Sequence, residues 1–502
     1  MSIITLAAED GSSVQFDPNI LAGSGGMKDV YFSPDRSYVV AWFRKPQDAN
    51  SLDRLKNIVG PFRDKIFNQP GGDYWSHLFC WPTKLVQHQG MTGIVVPVYE
   101  RNFFFEFGSK NNDTLLGIRG KEKEGKWFAS ANHQQKHLDP LERGDWLKYL
   151  AICIKIARAA RRLHAAGLAH SDLSYKNVLV DPRTGGACLI DVDGLVVPGK
   201  YPPDIIGTPD FIAPEVMRTL TLPFTDPNRN LPRRETDQHA LAVLIYMYLL
   251  YRHPLRGGKI FDTTDAQRDE ALMMGEKALF IEHPSDLSNR PNLRDVKPSY
   301  LPYADVTQLP YALTGPYLKA LFDRAFIDGL HEPHLRPTAD EWEHALVKTV
   351  DLVQPCVNPN CNHKWFVFDN TTQPVCPFCR TAFQGDLPVL NLYSSDGNGN
   401  FRPDGHRLMV YTNQYLYPWH VSRKIVPNEK LTAAERKPVA YFVFHEGKWR
   451  LVNQTLVGLK DTTTGQTILP GSSLVLNDEQ RILLSPEEGG RLIHVQMVKS
   501  EP

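Results

Sequence analysis

The feature that most constrains this chain is the order of patterns between residues 144 and 194. An amphipathic repeat, with apolar residues spaced by three and four, predicts a long helix that ends at Gly167. The loop HSDLSYKNVLV follows and contains Asp172 and Asn177, and Asp191 comes directly after a short apolar strand. Carboxylate and amide oxygens are the hard ligands that Mg²⁺ prefers, so this order predicts a site that handles a divalent cation.

Three stretches in this region, HSDLSYKNVLV, CLIDVDG and GTPDFIAPE, resemble the catalytic core of eukaryotic-type protein kinases in order and spacing. Phosphoryl transfer needs a carboxylate to orient and deprotonate the attacking hydroxyl, and ligands that hold Mg²⁺ on the phosphates. Asp172 fits the first role, and Asn177 and Asp191 fit the second. A lone HxD motif would be a chance cluster of turn residues, but here it lies between an amphipathic helix and a strand, as the resemblance requires.

The resemblance implies an α+β chain whose first domain is a two-lobed protein-kinase-like domain. The composition then shifts to a stretch with two cysteine pairs, which resembles a zinc ribbon. After about Gly385, short strand-like runs separated by turns predict an all-β sandwich. The predicted limits are residues 1–349 for the kinase domain (N-lobe about 1–98, C-lobe about 99–349), 350–385 for the ribbon and 386–502 for the sandwich. A polar stretch at about 108–143 is expected to be an exposed insertion.

Two further positions match structural residues of the family. Asp237 begins an apolar helix that resembles the buried helix anchoring the catalytic loop, and Arg336 matches the arginine that pairs with the motif glutamate, here Glu215.

Tyr201 is the only hydroxyl between Asp191 and Gly207, so we expect activity without phosphorylation of this segment.

The chain also departs from the family pattern at four places. Ser171 replaces the arginine before the catalytic carboxylate, and Ser174 replaces a lysine for which Lys176 is the nearest substitute. The metal-binding triplet reads Asp-Val-Asp, and an alternative register would use Asp193 with the following glycine as the metal ligand. No glutamate occurs between residues 9 and 100, so the family's helix glutamate is absent, and Asp53 or Asp64 is the nearest stand-in.

A glycine-rich turn and the two strands after it predict the ATP site. The predicted contacts are Gly23, Gly25, Gly26, Lys28, Val30, Ala41, Asn177 and Asp191. Kinases usually carry the phosphate-binding lysine two residues after the strand alanine, where this chain has Phe43. Lys28 shares a strand face with Val30, so we expect it to reach the phosphates instead. Lys45 is the rival candidate, and an exposed loop lysine is the alternative.

Four cysteines form a second motif, with the spacings Cys-x4-Cys and Cys-x2-Cys separated by 14 residues. Two close pairs on tight turns allow four thiolates to reach one tetrahedral ion. The motif therefore predicts a structural Zn²⁺ site that resembles a zinc ribbon. The predicted ligands are Cys356, Cys361, Cys376 and Cys379.

Residues 388–498 resemble a forkhead-associated domain, a fold that binds phosphothreonine through its loops. Ser422 and Arg423 match part of that pattern, but the usual Asn-Gly-Thr segment reads Asn453-Gln454-Thr455, and a plain β-sandwich is the alternative. The whole arrangement is similar to kinases of bacterial tellurite-resistance-associated phosphorylation systems. That similarity implies a partner phosphatase and a von Willebrand A-type protein.

Bulk properties narrow the remaining function classes. Formal net charge is zero, with 56 basic and 56 acidic residues, so no overall field favours nucleic acid. The longest apolar run is too short to cross a bilayer, and the N-terminus lacks a signal-peptide pattern, so we expect a cytoplasmic protein. The leading hypothesis is an ATP- and Mg²⁺-dependent serine/threonine protein kinase. A pseudokinase scaffold is the runner-up, and a small-molecule kinase is the third hypothesis.

Overall fold

The structure is a computed structural model that describes residues 3–24, 27–69, 71–197, 200–201, 207–223, 225–369 and 373–499. It consists of two compact units. The first contains residues 1–144, 148–311 and 320–343, and the second contains residues 145–147, 312–319 and 344–502. The domain limits proposed from the sequence stay predictions.

The first unit begins with a β-hairpin and an antiparallel sheet in the order β3-β4-β5-β7-β6. Side chains of a strand alternate between two faces. One face carries Val40 and packs with the hairpin residue Phe16, and the other carries Ala41 and packs with Leu55 of the following helix. The strands are β1 (Ile4–Ala7), β2 (Ser13–Phe16), β3 (Leu21–Ser24), β4 (Lys28–Phe32), β5 (Tyr38–Phe43), β6 (Lys84–His88) and β7 (Met91–Pro97).

Three short helices lie between β5 and β6. They are α1 (Ala49–Asn57), α2 (Arg63–Phe67) and α3 (Gly72–Ser76). Asp48 caps α1 by accepting a hydrogen bond from the backbone N–H of Ser51 at 2.7 Å, which satisfies one of the amides that a helix start leaves unpaired. Pro61 lies in the turn between α1 and α2, where the backbone of Gly60 is not helical.

The stretch at 108–143 was expected to be an exposed insertion, and the structure agrees with that prediction only in part. Most of residues 111–122 are exposed. The later residues fold around the short helix α4 (Ala131–His137), and Phe128, Leu138 and Glu142 are fully buried. Lys123, one of the charges in the KEKEGK segment, is 1% exposed because two carboxylates surround its ammonium group. The polar sequence therefore contains both an exposed loop and a buried ion cluster.

The remainder of the first unit is mostly helical. Helix α7 is buried on nearly all sides, which explains its almost continuous apolar sequence. Across the part of the chain that the structure describes, no helix is both long and apolar enough to span a bilayer. The elements between residues 146 and 350 are α5 (Trp146–Ala165), β8 (Val178–Asp181), β9 (Gly186–Leu189), α6 (Pro214–Met217), α7 (Arg234–Leu250), α8 (Ala266–Met274), α9 (Pro316–Asp323) and α10 (Ala339–Val350). Residues 146–147, 316–319 and 344–350 of these elements belong to the second unit.

The second unit contains a two-stranded hairpin, a five-stranded sheet in the order β13-β12-β20-β19-β17 and a four-stranded sheet in the order β14-β15-β16-β18. Residues of both larger sheets, including Leu392 and Phe442, form one hydrophobic core. The elements are β10 (Val353–Pro355), β11 (Trp365–Val367), β12 (Asp386–Ser395), β13 (Phe401–Met409), β14 (Tyr415–Leu416), α11 (Pro418–Val421), β15 (Ala440–His445), β16 (Lys448–Asn453), β17 (Lys460–Asp461), β18 (Ser473–Val475), β19 (Arg481–Leu483) and β20 (Arg491–Lys499).

A buried carboxylate links three segments of the second unit. Asp351 lies 2.6 Å from Nε2 of His406 and 3.2 Å from Nε2 of His420. Burial opposes the charge of Asp351, but the two histidines outweigh burial and hold its pKa well below the ordinary value.

Candidate active site

The loop that carries Asp172 is anchored by a buried carboxylate at the start of α7. Asp237, 2% exposed, accepts hydrogen bonds from the backbone N–H groups of His170 at 2.7 Å and Ser171 at 3.1 Å. The ring of His170 contacts the carbonyl oxygen of Ile190 at 3.0 Å, which ties this loop to the segment after β9. Ser171 has a left-handed backbone (φ 67°), and the two hydrogen bonds to Asp237 stabilise that turn.

The carboxylate of Asp172 is oriented from both sides. Asn177 donates from Nδ2 to Oδ2 of Asp172 at 2.8 Å and to its backbone oxygen at 2.9 Å. Thr208 donates to Oδ1 from its backbone N–H at 2.7 Å and from its hydroxyl at 2.9 Å. These bonds commit the amide nitrogen of Asn177 and leave its Oδ1 as the atom suited to bind a cation. Lys176, the predicted substitute for the family's lysine, is exposed.

Lys28, on β4, meets two carboxylates of the segment after β9. Its Nζ lies 2.8 Å and 2.9 Å from the two oxygens of Asp193 and 3.3 Å from Oδ1 of Asp191. Burial disfavours the charge of Lys28, but both carboxylates outweigh burial and raise the pKa of Lys28 above its ordinary value. Lys45, the rival candidate, is exposed.

A cleft of about 460 Å³ adjoins this ion cluster. It is lined by Gly23, Val30 and Ala41, as the nucleotide hypothesis expects, and also by Lys28 and Asp191. Gly25 and Gly26, the other two predicted glycines, lie outside the described residues. Sequence reasoning missed one wall of the cleft, which the stretch after β7 provides. That wall contains Phe104, Gly120 and Glu122.

Helix α1 supplies no carboxylate to Lys28 among the described residues. Asp53 instead accepts a hydrogen bond from the hydroxyl of Tyr201, and Asp64 accepts one from Asn68 at 3.0 Å. Arg54 of the same helix is buried. Burial lowers the pKa of Arg54, and the carboxylate of Asp193 opposes that shift. The side chain of α1 that interacts electrostatically with Asp193 is therefore a cation, where the family pattern has a glutamate.

The predicted pair of Arg336 and Glu215 is confirmed. Nη1 and Nη2 of the arginine lie 2.8 Å and 2.7 Å from the two carboxylate oxygens, and both side chains are buried. Parallel bonds of this kind fix geometry as well as charge. The pair therefore holds the start of α6 against the segment before α10.

The four cysteines of the second motif lie together in the second unit. Their sulfur atoms are all within 4.8 Å of one another, with Cys361 and Cys376 buried. Four thiolates at this separation are a donor set that fits one tetrahedral metal ion. His363 stacks on Phe378 at 3.9 Å between ring centroids and is not part of this set.

The residues that resemble a phosphothreonine loop are placed differently from one another. Arg423 is exposed, and the hydroxyl of Ser422 lies 3.4 Å from the carbonyl oxygen of Gly489. Asn453 is fully buried, and its side chain bonds the backbone of Leu456 and Ile468 at 2.7–2.8 Å. Asn453 is therefore committed to the fold of its own domain.

Several kinases are similar in sequence to part of this chain. Residues 130–194 match the model of the lipopolysaccharide kinase (Kdo/WaaP) family. The chain is 32% identical over 124 residues to the serine/threonine-protein kinase PkaB of Streptomyces coelicolor, a match that covers 22% of this chain and 26% of that protein. It is 29% identical over 136 residues to the serine/threonine-protein kinase PknD of Chlamydia felis, covering 22% of this chain and 13% of that one.

Among solved structures, the kinase domain of a Toxoplasma gondii rhoptry antigen aligns with 62% of this chain and 87% of its own, at 17% identity and a TM-score of 0.35. A likeness this weak supports no conclusion about function. The curated relatives are matched over about a quarter of their length or less. These matches show that part of this chain is similar in sequence to kinases. The structure around that part combines helices and sheets, and the chain has further β-sheet regions.

Proposed function

We propose that this chain is an ATP- and Mg²⁺-dependent protein kinase that transfers the γ-phosphate to serine or threonine hydroxyls. The observation that carries the proposal is the orientation of Asp172 by Asn177 and Thr208. The loop that contains Asp172 lies beside the C-terminal end of β9, which Asp191 follows. Asp172 accepts the proton of the attacking hydroxyl, and Asn177 and Asp191 would hold the metal ion. Bound Mg²⁺ would neutralise charge on the phosphates. Lys28 supplies the fixed positive charge on the same phosphates.

A sugar acceptor is the second candidate, because the matched family model is that of lipopolysaccharide kinases. The protein acceptor is favoured by the segment from Gly207 to Glu215, which resembles the protein-substrate platform of protein kinases. Thr208 of that segment contacts Asp172 directly, so the platform and the base form one unit.

Incubation of the purified chain with labelled ATP and Mg²⁺ tests both acceptors. One arm contains a mixed unstructured protein substrate, and the other contains lipopolysaccharide. We expect label in protein, and a loss of several orders of magnitude in rate for Asp172→Asn and Asp191→Asn. Asp10→Asn, in the exposed turn between β1 and β2, is the matched control. Label in lipopolysaccharide alone would select the sugar acceptor, and a wild type that labels neither acceptor above background would indicate a pseudokinase scaffold. Equal labelling by wild type and both variants would refute the roles of Asp172 and Asp191.

We also propose that the four cysteines bind one structural Zn²⁺ in a zinc ribbon. Four thiolates leave no open coordination position, so the ion would stabilise the fold rather than take part in phosphoryl transfer. Metal analysis of protein purified without added zinc should give about one equivalent per chain. Less than half an equivalent, with all four thiols reactive, would contradict the assignment.

For the β-rich region after the ribbon we propose a sandwich that binds partners, in the manner of a forkhead-associated-like domain. The implied partners are a phosphatase and a von Willebrand A-type protein, in addition to the protein substrate. Because Asn453 is committed internally, recognition of phosphothreonine would depend on Arg423 and its neighbours. Binding of a phosphothreonine peptide that is lost in Arg423→Ala supports that role. Equal binding of the unphosphorylated peptide would point to plain docking.

A further inference from the structure

The carboxylate of Asp193 is the one that contacts Lys28 through both oxygens. Its side chain is 12% exposed, whereas that of Asp191 is 56% exposed and makes a single longer contact. Two carboxylates two residues apart thus differ in both contact and burial. The more exposed one is accessible to a metal ion, and the buried one is already paired with an ammonium group.

The backbone on both sides of this ion pair is fixed. Val192, between the two carboxylates, is 1% exposed, and Val196 pairs with Ala169 through two backbone hydrogen bonds of 2.9 Å and 3.0 Å. On the other side, Lys28 lies opposite Phe43 in the β4–β5 register, and its ammonium group stands 5.6 Å from the centre of that ring. Ordered backbone at both ends allows a short ion pair to set the direction of the lysine side chain.

We infer that Asp193 is a positioning residue that holds Lys28 toward the nucleotide phosphates, in place of a carboxylate from helix α1. The inference rests on the proposed function, because it assigns a role within the same nucleotide site. Arg54 of α1 is 4% exposed, and the carboxylate of Asp193 favours its charged form. The ion pair thus joins strand β4 to the segment after β9, without a glutamate on α1.

A double-mutant cycle in nucleotide affinity tests this role. Binding of MgADP is measured by calorimetry, which needs no turnover, for Asp193→Asn, Lys28→Met and the double variant. Each single variant should weaken binding about tenfold, and the double variant should be no weaker than Lys28→Met, because the two residues act as one unit. Asp193→Glu keeps the carboxylate and should restore most of the affinity. Asp29→Asn, next to Lys28 on β4, is the control and should bind like wild type, because its half-buried carboxylate pairs with Arg44 just after β5.

Five results would overturn the inference. Losses that multiply in the double variant would show independent roles for the two residues. Tighter binding by Asp193→Asn would show that the contact obstructs the site. A raised Mg²⁺ requirement in Asp193→Asn, equal to that of Asp191→Asn, would make Asp193 a metal ligand. A wild-type chain that binds no MgADP would refute the proposed function itself, and with it the inference, whereas normal wild-type binding with an unaffected Asp193→Asn refutes the inference alone.

Discussion

Replacing Lys123 with methionine should destabilise the first unit strongly, because it leaves two buried carboxylates without their cation. The ammonium group of Lys123 lies 3.0 Å from Glu142 and 3.0 Å from Asp181, and the three side chains are at most 3% exposed. Removing one partner of a buried ion pair typically costs about 3–5 kcal/mol, since the remaining charge stays desolvated.

The local hydrogen bonds place this variant near the lower end of that range. Glu142 also accepts from the backbone N–H groups of Phe107 and Gly108 at 2.6 Å and 3.2 Å. Asp181 also accepts from the hydroxyl of Thr184 at 2.8 Å. Because these donors remain in the variant, we expect a loss of about 3 kcal/mol in the free energy of unfolding.

Chemical denaturation of the full chain, followed by tryptophan fluorescence and far-UV circular dichroism, measures the change. Lys126→Met is the matched control, since Lys126 lies three residues further on and forms an ion pair with Glu124 at 2.7 Å. The side chains of Lys126 and Glu124 are 42% and 33% exposed. An exposed pair contributes about 0–1 kcal/mol. Equal losses in the two variants, or a loss below 1 kcal/mol for Lys123→Met, would refute the reasoning about the buried cluster.

Three further changes have expected outcomes. Arg336→Lys should cost about 3 kcal/mol in unfolding free energy, because a lysine cannot make both bonds to the buried Glu215, whereas the exposed Arg324→Lys should cost less than about 1 kcal/mol. Asp351→Asn should destabilise the second unit at pH 7 and progressively less below about pH 4, because a lowered carboxyl pKa gives stability that is lost as the pH falls; a constant difference would contradict this. Phosphatase treatment should leave the initial phosphorylation rate unchanged, because the hydroxyl of Tyr201 is buried against α1; a large loss restored by rephosphorylation would contradict it.

The sequence predicts those parts of the site whose residues are close together in the chain. Asp172 and Asn177 are five residues apart in one loop, so their hydrogen bond follows from the helix before them and the strand after them. The cysteine set is likewise built from two short turns. The pair of Arg336 and Glu215 spans 121 residues and could be predicted only because both lie in patterns that resemble a known family.

The parts that could not be predicted are tertiary pairings of charged residues that have no counterpart in the family pattern. Lys28 and Asp193 are 165 residues apart, and nothing in a strand lysine or in the Asp-Val-Asp triplet indicates that they meet. Lys123 has the same problem, because a charge in a polar run normally lies in water, and only its two distant partners allow burial. A sequence pattern reports the average preference of a residue type, so it fails where a specific partner reverses that preference.

Helix α1 and Lys28 both contact the segment after β9, so substitutions in that segment should affect the nucleotide site. Asp193 pairs with Lys28 and opposes the lowering of the Arg54 pKa by burial. Tyr201, eight residues further on, donates a hydrogen bond to Asp53 of α1 and receives one from Asn57 at 2.9 Å. In a kinase with a helix glutamate, that glutamate orients the lysine. Here Asp193 orients the lysine, while α1 is bonded to the segment after β9 at two points. A substitution at Asp193 should therefore change nucleotide affinity more than one at Asp53, because only the first touches the lysine.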